Sequence, residues 1–328
     1  MSIETIARFA GKRVLVIGDL MLDEFLWGKV SRISPEAPVP VVEVSGESYY
    51  PGGAANVARN LREFTSHVAV MGIAGGDPWG DRLCGLLAES GIDAAGVQRD
   101  PALPTTVKTR IIARNQQVVR VDRERPGPLT DEQFQRALTY LTRAIPQTDG
   151  IVVADYGKGF VSQELADAAL ALAKEHQKML AVDPHPHTSL NWHGATVIKP
   201  NRIETFSAAG ARPTPPVDPP IKDRPLLEAV RSLQRQWRPA SLLVTLGEQG
   251  MMLFEGDRDP VHIPTRAKEV FDVSGAGDTA IAVLTLGLLA GATPVDAADL
   301  ANRASGIAVG KLGTATVTRA ELEASFTR

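Results

Sequence analysis

Short apolar runs recur along this chain and alternate with amphipathic stretches, and that alternation restricts the possible folds more than any other feature. The runs are Lys12–Asp19, His67–Gly72, Gly150–Ala154, Lys178–Val182, Ala195–Ile198 and Ser241–Thr245. Between most of them apolar residues recur at helical spacing, in Ala54–Phe64, Asp81–Ser90, Asp131–Ile145, Ser162–His176 and Leu226–Trp237. A strand apolar on both faces needs cover on both faces, so the pattern predicts an α/β fold with a parallel sheet between helices. Ligands of such sheets bind beyond the carboxyl ends of the strands, so chemistry is expected just after each run.

Two stretches break the alternation. Phe25–Val44 and Thr105–Arg123 are rich in β-branched residues, with Val107–Ile112 and Val118–Asp122 flanking a turn at Arg114–Gln117. They predict a small β subdomain inserted in two pieces, serving as a lid, a dimer surface or both; ordinary edge strands of the main sheet are the alternative. Ala211–Pro225 carries prolines at 213, 215, 216, 219, 220 and 225 and is expected to be a loop, because proline removes backbone donors.

Composition narrows the function classes. A formal net charge of −3 gives no electrostatic reason for nucleic acid or an anionic membrane as partner. No apolar run reaches the ~20 residues of a membrane span, and Met1–Arg13 lacks the layout of a signal peptide, so a cytoplasmic protein is expected. Cys84 stands alone, on what reads as the apolar face of a helix, and is expected to be buried and inert. His185, His187 and His193 cluster around prolines with no cysteine nearby, a polar surface loop rather than a Zn²⁺ site. There is no Gly-x-x-x-x-Gly-Lys-Ser/Thr segment, and no Gly-x-Gly-x-x-Gly after the first run.

Four segments carry candidate chemistry. Asp272-Val-Ser-Gly-Ala-Gly-Asp278 precedes the apolar helical run Ala280–Ala290. Glycines there let backbone approach a ligand, the helix start aims unpaired N–H groups at it, and Asp278 in the first turn can take a proton from an attacking hydroxyl. A plain helix start with a dipole-stabilising Asp fits the same residues. Gly52-Gly53 with Asn56 offers an open backbone and an amide suited to sugar hydroxyls, or simply tight packing. Asp19 ends the first run, where a carboxylate faces either a ligand crevice or a turn. Asn201 and Glu204 share a helical face and suit Mg²⁺ held partly through water, or form a capping box. Asp183, at a strand end, is a further candidate for the Mg²⁺ shell. Asp155 and Lys158 follow another strand, and Thr245 with Gly247 follow the last, near a possible nucleotide.

Gly52-Gly53 with Asn56, Asn201-x-x-Glu204 and Gly275-Ala276-Gly277-Asp278 occur in the order and spacing of the ribokinase-like (PfkB) carbohydrate kinases, which the chain resembles over nearly its whole length. The resemblance implies a three-layer αβα sandwich with a mostly parallel sheet and a small β-sheet lid, within one kinase domain. It implies Asp278 as catalytic base, an anion hole at Gly275, Ala276 and Gly277, and Asn201 and Glu204 supporting Mg·ATP. Asp19, Gly53 and Asn56 would hold the sugar, and Thr245, Gly247 and Asn302 would lie near the nucleotide. Ser274 stands where the family pattern has Thr.

Within the family, Ser31–Val42, Tyr50–Asn60 and Asp155–Gly159 resemble the D-glycero-D-manno-heptose 7-phosphate kinases, in the form without a following nucleotidyltransferase domain. That implies phosphorylation of O1 to the 1,7-bisphosphate, a precursor of lipopolysaccharide core heptose. Lys108, Arg110, Arg120, Arg123 and Lys158 are then candidates for the substrate phosphate. Asp272 and Gly313–Thr316 are candidates for a monovalent cation site, and a homodimer with paired lids is expected. Another ribokinase-like kinase acting on fructose, ribose, a keto-deoxy acid or a nucleoside is the first rival; a sugar-binding regulator without catalysis is the second.

Overall fold

The computed structural model describes residues 3–114, 116–186, 188–267, 269–311 and 313–326. Asn115 of the expected turn and His187 of the histidine group lie outside the described residues.

The main sheet has nine strands, in the spatial order β13 (Val261–Ile263), β12 (Met251–Phe254), β11 (Ser241–Thr245), β10 (Val197–Ile198), β9 (Met179–Asp183), β8 (Gly150–Ala154), β1 (Arg13–Gly18), β4 (His67–Gly75) and β5 (Asp93–Asp100). Pairing is parallel from β11 to β5, and β12 and β13 add an antiparallel edge. Side chains alternate across each strand, which divides the core in two. Val14 and Val16 of β1 face a cluster containing Val57 and Ile281; Leu15 and Ile17 face another containing Leu141, Leu165 and Val230.

On the first face lie α1 (Ile3–Ala7), α2 (Ala54–Arg62), α3 (Pro78–Glu89), α8 (Ala276–Leu289), α9 (Pro294–Ala308) and α10 (Arg319–Ala324). The other face carries α4 (Asp131–Ala144), α5 (Gln163–Glu175), α6 (Arg202–Ala208) and α7 (Arg224–Trp237). Every residue from Thr279 to Gly287 is buried, because α8 packs among α2, α9, β8 and β9. A helix apolar all round needs such a position.

A second sheet runs β3 (Pro40–Gly53), β2 (Leu20–Ile33), β6 (Val107–Ala113), β7 (Gln116–Arg123). β2 leaves the main sheet right after β1, so Leu20, Met21 and Leu22 are core residues while Ile33 is exposed. The insert is thus a separate sheet rather than edge strands, and it extends further into the body than Phe25–Val44. Ala211–Pro225 is loop apart from a short 3₁₀ turn at Pro220–Lys222 and the start of α7 at Arg224. Cys84 corrects its expectation. It is half-buried, and its Sγ accepts a hydrogen bond from Arg99 Nη1 at 3.7 Å, because Arg99 of β5 lies across α3.

Candidate active site

α8 begins at Ala276, so Asp278 is its third residue and its amide, with that of Gly277, has no partner within the helix. Gly275 caps the helix at φ +79°, a left-handed conformation that side chains resist. A Cβ at Gly275 would stand 3.0 Å from Asn56 Nδ2, so the loop also depends on glycine for space.

The half-buried Asp278 carboxylate is gripped at both oxygens. Asn56 Nδ2 donates to Oδ2 at 2.6 Å, and the Tyr156 hydroxyl donates to Oδ1. Burial pushes Asp278 up to about 6; the Tyr156 and Asn56 hydrogen bonds pull against that, Asp183 adds to it and Lys199 opposes it.

Beneath Gly277 lies an acidic group around one buried cation. Lys199 is 2% exposed, and its Nζ is 2.8 Å from Asp183 Oδ1. Burial alone would lower Lys199, but Asp183, Glu204 and Asp278 outweigh it and leave it raised. Glu204 is pushed up to about 7, by burial first and then by Asp183, against Lys199 and the Asn201 amide. Asp155 is raised by burial, and Asp183 adds repulsion. Asp183, Glu204 and Asp278 thus face Lys199, with Asp155 beside Asp183 and Glu204, a surplus of negative charge that hard oxygen-seeking cations relieve. Among the described residues no group of three His, Cys, Asp or Glu side chains is arranged to hold a metal ion by itself, and Glu204 is the candidate here to anchor one.

Several expectations change here. Asn201 and Glu204 form the capping box: Asn201 Oδ1 accepts the Glu204 amide at 2.9 Å, and the Glu204 carboxylate accepts Asn201 N and Nδ2, each at 2.6 Å. Asn201 thereby orients the Glu204 carboxylate. Asp183 is tied to Lys199 in place of a metal. Asp155 accepts the Gly157 amide at 2.8 Å and the Thr188 hydroxyl, and is 5% exposed, so it belongs to the acidic group and not to a sugar pocket. Thr245 does adjoin Asn201, through a parallel bridge, and Gly247 follows at φ +59° in open space. Asn302 is 4% exposed and donates to the Pro264 carbonyl at 2.6 Å, so it braces the chain after β13.

Asp19 is the largest correction. It is 2% exposed, and its carboxylate accepts the amides of Tyr156 (2.9 Å), Lys158 (3.0 Å) and Phe160 (3.0 Å). It clamps the loop after β8 and has no free face for a sugar. A second carboxylate, Asp23 of β2, accepts from Arg110 and lies so close to Gly52 that a Cβ there would meet Asp23 Oδ2 at 2.5 Å. Gly53 caps α2 at φ +58°. Lys108 pairs with Asp122 at 3.2 Å, and Lys158 with Glu124 at 2.8 Å. The lid and the β8 loop thus present three cations, each already holding a carboxylate. Arg120 also pairs with Asp122 at 2.8 Å, and Arg123 lies over the Trp79 ring. Asp272 Oδ2 accepts the Gly313 amide at 3.1 Å, so the two halves of the expected cation site do meet.

Sequence reasoning gave no role to Asp23, Tyr156 or Lys199. A carboxylate set among the apolar residues of β2, and a lysine directly after a buried run, were the available signals. Tyr156 offered none, because its partner is 122 positions away.

A sandwich of this topology with a four-stranded lid is the ribokinase-like fold. Arabidopsis thaliana ribokinase, solved with ribose and ATP, superposes with a TM-score of 0.72 over 97% of this chain and 99% of its own, at 16% identity. Residues 12–321 match the pfkB family carbohydrate kinases, and the chain belongs to that family. It is 44% identical to the Bifunctional protein HldE of Desulfatibacillum aliphaticivorans over 98% of this chain and 64% of that protein. It is 43% identical to that of Helicobacter pylori over 95% of this chain and 66% of that protein. The chain thus spans just under two thirds of the length of these relatives.

Proposed function

We propose that this chain transfers the γ-phosphoryl group of ATP to O1 of D-glycero-D-manno-heptose 7-phosphate. Asp278 carries the proposal: a carboxylate lifted to about 6 and fixed at both oxygens, at the start of a helix whose unpaired amides share its opening. The heptose reading is supported by 44% identity along 98% of the chain to a bifunctional HldE protein, together with the segments Ser31–Val42 and Tyr50–Asn60.

The chemistry follows from the placement. Asp278 is ionised at neutral pH yet basic enough to accept the proton of the O1 hydroxyl, which is more acidic than other sugar hydroxyls. As the O1–Pγ bond forms and the bond from Pγ to the bridging oxygen breaks, charge on the phosphoryl oxygens is met by the Gly277 and Asp278 amides and the positive end of α8. Glu204 would hold Mg²⁺, which would supply neutralisation of phosphate charge. Asp23, Gly52, Gly53 and Asn56 would hold the sugar. Lys108, Arg110 and Lys158 would exchange their carboxylate partners for the 7-phosphate, as a cation does for a stronger acceptor. Asp272 with Gly313 is where a monovalent cation would support the anion-hole loop.

The exposed apolar residues Ile33, Val39 and Val44 on the lid support a homodimer with paired lids. Among the described residues no helix is long and apolar enough to cross a membrane. The test is Asp278→Asn, measured by ATP consumption with the heptose phosphate and by calorimetric binding. Turnover should fall by about 10²–10⁴-fold with both ligands still bound; near-normal turnover contradicts the assignment.

A further inference from the structure

We infer that Tyr156 is a positioning residue for the base: its hydroxyl, carried on a loop that Asp19 clamps to the end of β1, holds the Asp278 carboxylate in place and ionised for proton transfer. This rests on the reading of Asp278 as base.

An aspartate in the first turn of a helix normally swings among rotamers over the helix end. Here donors from two different elements stop it. Asn56 comes from α2, which is locked to α8 where Thr279 Oγ1 donates to Asn60 Oδ1 at 2.8 Å and Asn60 Nδ2 donates to the Asn56 carbonyl at 2.9 Å. Tyr156 comes from the loop after β8, on the far side of the carboxylate. A loop alone would be a poor anchor. This one is pinned by the three amides that Asp19 accepts, and by Gly157 at φ +67°, where a Cβ would stand 2.6 Å from His185 Nδ1. The buried Asp19 therefore acts on the reacting centre through Tyr156, without touching the substrate.

Tyrosine suits the task chemically. A hydroxyl donor lowers the cost of the ionised carboxylate without adding charge. Burial, with Asp278 and Asp183 nearby, keeps Tyr156 well above its ordinary value, so it stays a donor at any working pH. The groups that face Asp278 are Tyr156 from the β8 loop, Asn56 from α2, Asp183 from the end of β9 and Lys199 after β10. Asp183 and Lys199 are joined to each other at 2.8 Å and largely cancel. Tyr156 and Asn56 are thus the two direct contacts that set the carboxylate's charge state.

The test compares the wild type with Tyr156→Phe by two readouts. The first is the titration of Asp278 itself, followed by carboxyl-carbon NMR on protein labelled in aspartate, with the Asp278→Asn spectrum assigning the resonance. The second is the pH profile of kcat. Loss of a donor to the charged form should move both midpoints upward by about one pH unit, giving about a fivefold loss of kcat at pH 6 and little at pH 8. KM for ATP and sugar should stay within about twofold. Installing 3-fluorotyrosine at 156 keeps the shape and strengthens the donor, so both midpoints should move down; this arm stands even if Tyr156→Phe folds poorly. An unmoved Asp278 titration, or a kcat loss equal at every pH, overturns the proposal. Failure of the underlying reading looks different: Asp278→Asn would retain turnover.

Discussion

Removing the Asp278 charge should stabilise the fold while destroying turnover. Asp278→Asn is isosteric, and both hydrogen bonds survive: the new amide oxygen accepts from Asn56 Nδ2, and the new NH₂ donates to the Tyr156 oxygen. Raising Asp278 from its ordinary 3.8 to about 6 makes ionisation costly to the native state. At 1.36 kcal/mol per pH unit, that cost reaches about 3 kcal/mol at pH 8. The side chain is only half-buried, and solvent screening reduces the figure to about 1–2 kcal/mol. With an unfolding entropy near 2.1 cal/mol/K per residue, a chain of this size should gain about 2–3 °C in Tm. The native value lies above the unfolded one, so the wild type keeps its full stability below 3.8 and loses it as pH rises through about 6. Thermal unfolding of the ligand-free proteins should therefore show the full gap at pH 8, about half of it at pH 5 and about a fifth at pH 4. A variant less stable at pH 8, or a gap independent of pH, would refute the account of a strained, ionised base.

Two further substitutions probe other parts of the site. Gly275→Ala places a Cβ at φ +79° and 3.0 Å from Asn56 Nδ2; a strain of about 1–2 kcal/mol should push Asn56 off Asp278 and lower kcat more than about tenfold, and kcat within twofold of wild type counts against the close packing. Lys108→Ala should raise KM for the heptose phosphate about tenfold, from loss of one charge-assisted hydrogen bond, and leave an unphosphorylated heptose unaffected; equal effects on both sugars would move Lys108 out of the phosphate site.

What the sequence disclosed tracks the range of the interactions concerned. β8 and β11 are continuous apolar runs and were legible to the residue. β5 was not, because Asp93-Ala-Ala-Gly-Val-Gln-Arg-Asp100 is an edge strand with little apolar content. The lid's β-branched runs marked it as a separate sheet, but its roots in the core, Leu20 to Leu22, look no different from the strand before them. Asp278, Asn56, Asn201 and Glu204 announce themselves through glycines and helical spacing nearby. Asp19 and Asp23 show why such signals stop short. Both are aspartates near the end of β1, and only the path of β2 decides which is walled in under the β8 loop and which faces Arg110. Tyr156 on Asp278 is a contact that no local pattern encodes.

Phosphoryl transfer to the anomeric oxygen of a sugar that already carries a phosphate can be observed directly. The direct measurement is phosphorus NMR of a reaction holding the protein, ATP, Mg²⁺ and D-glycero-D-manno-heptose 7-phosphate, with fructose 6-phosphate and ribose in parallel tubes. A second sugar-phosphate resonance, coupled to the anomeric proton and growing as ADP forms, should appear in the heptose tube far ahead of the others. ADP formation favouring fructose 6-phosphate or ribose, or a new phosphate on any carbon other than C1, would contradict it.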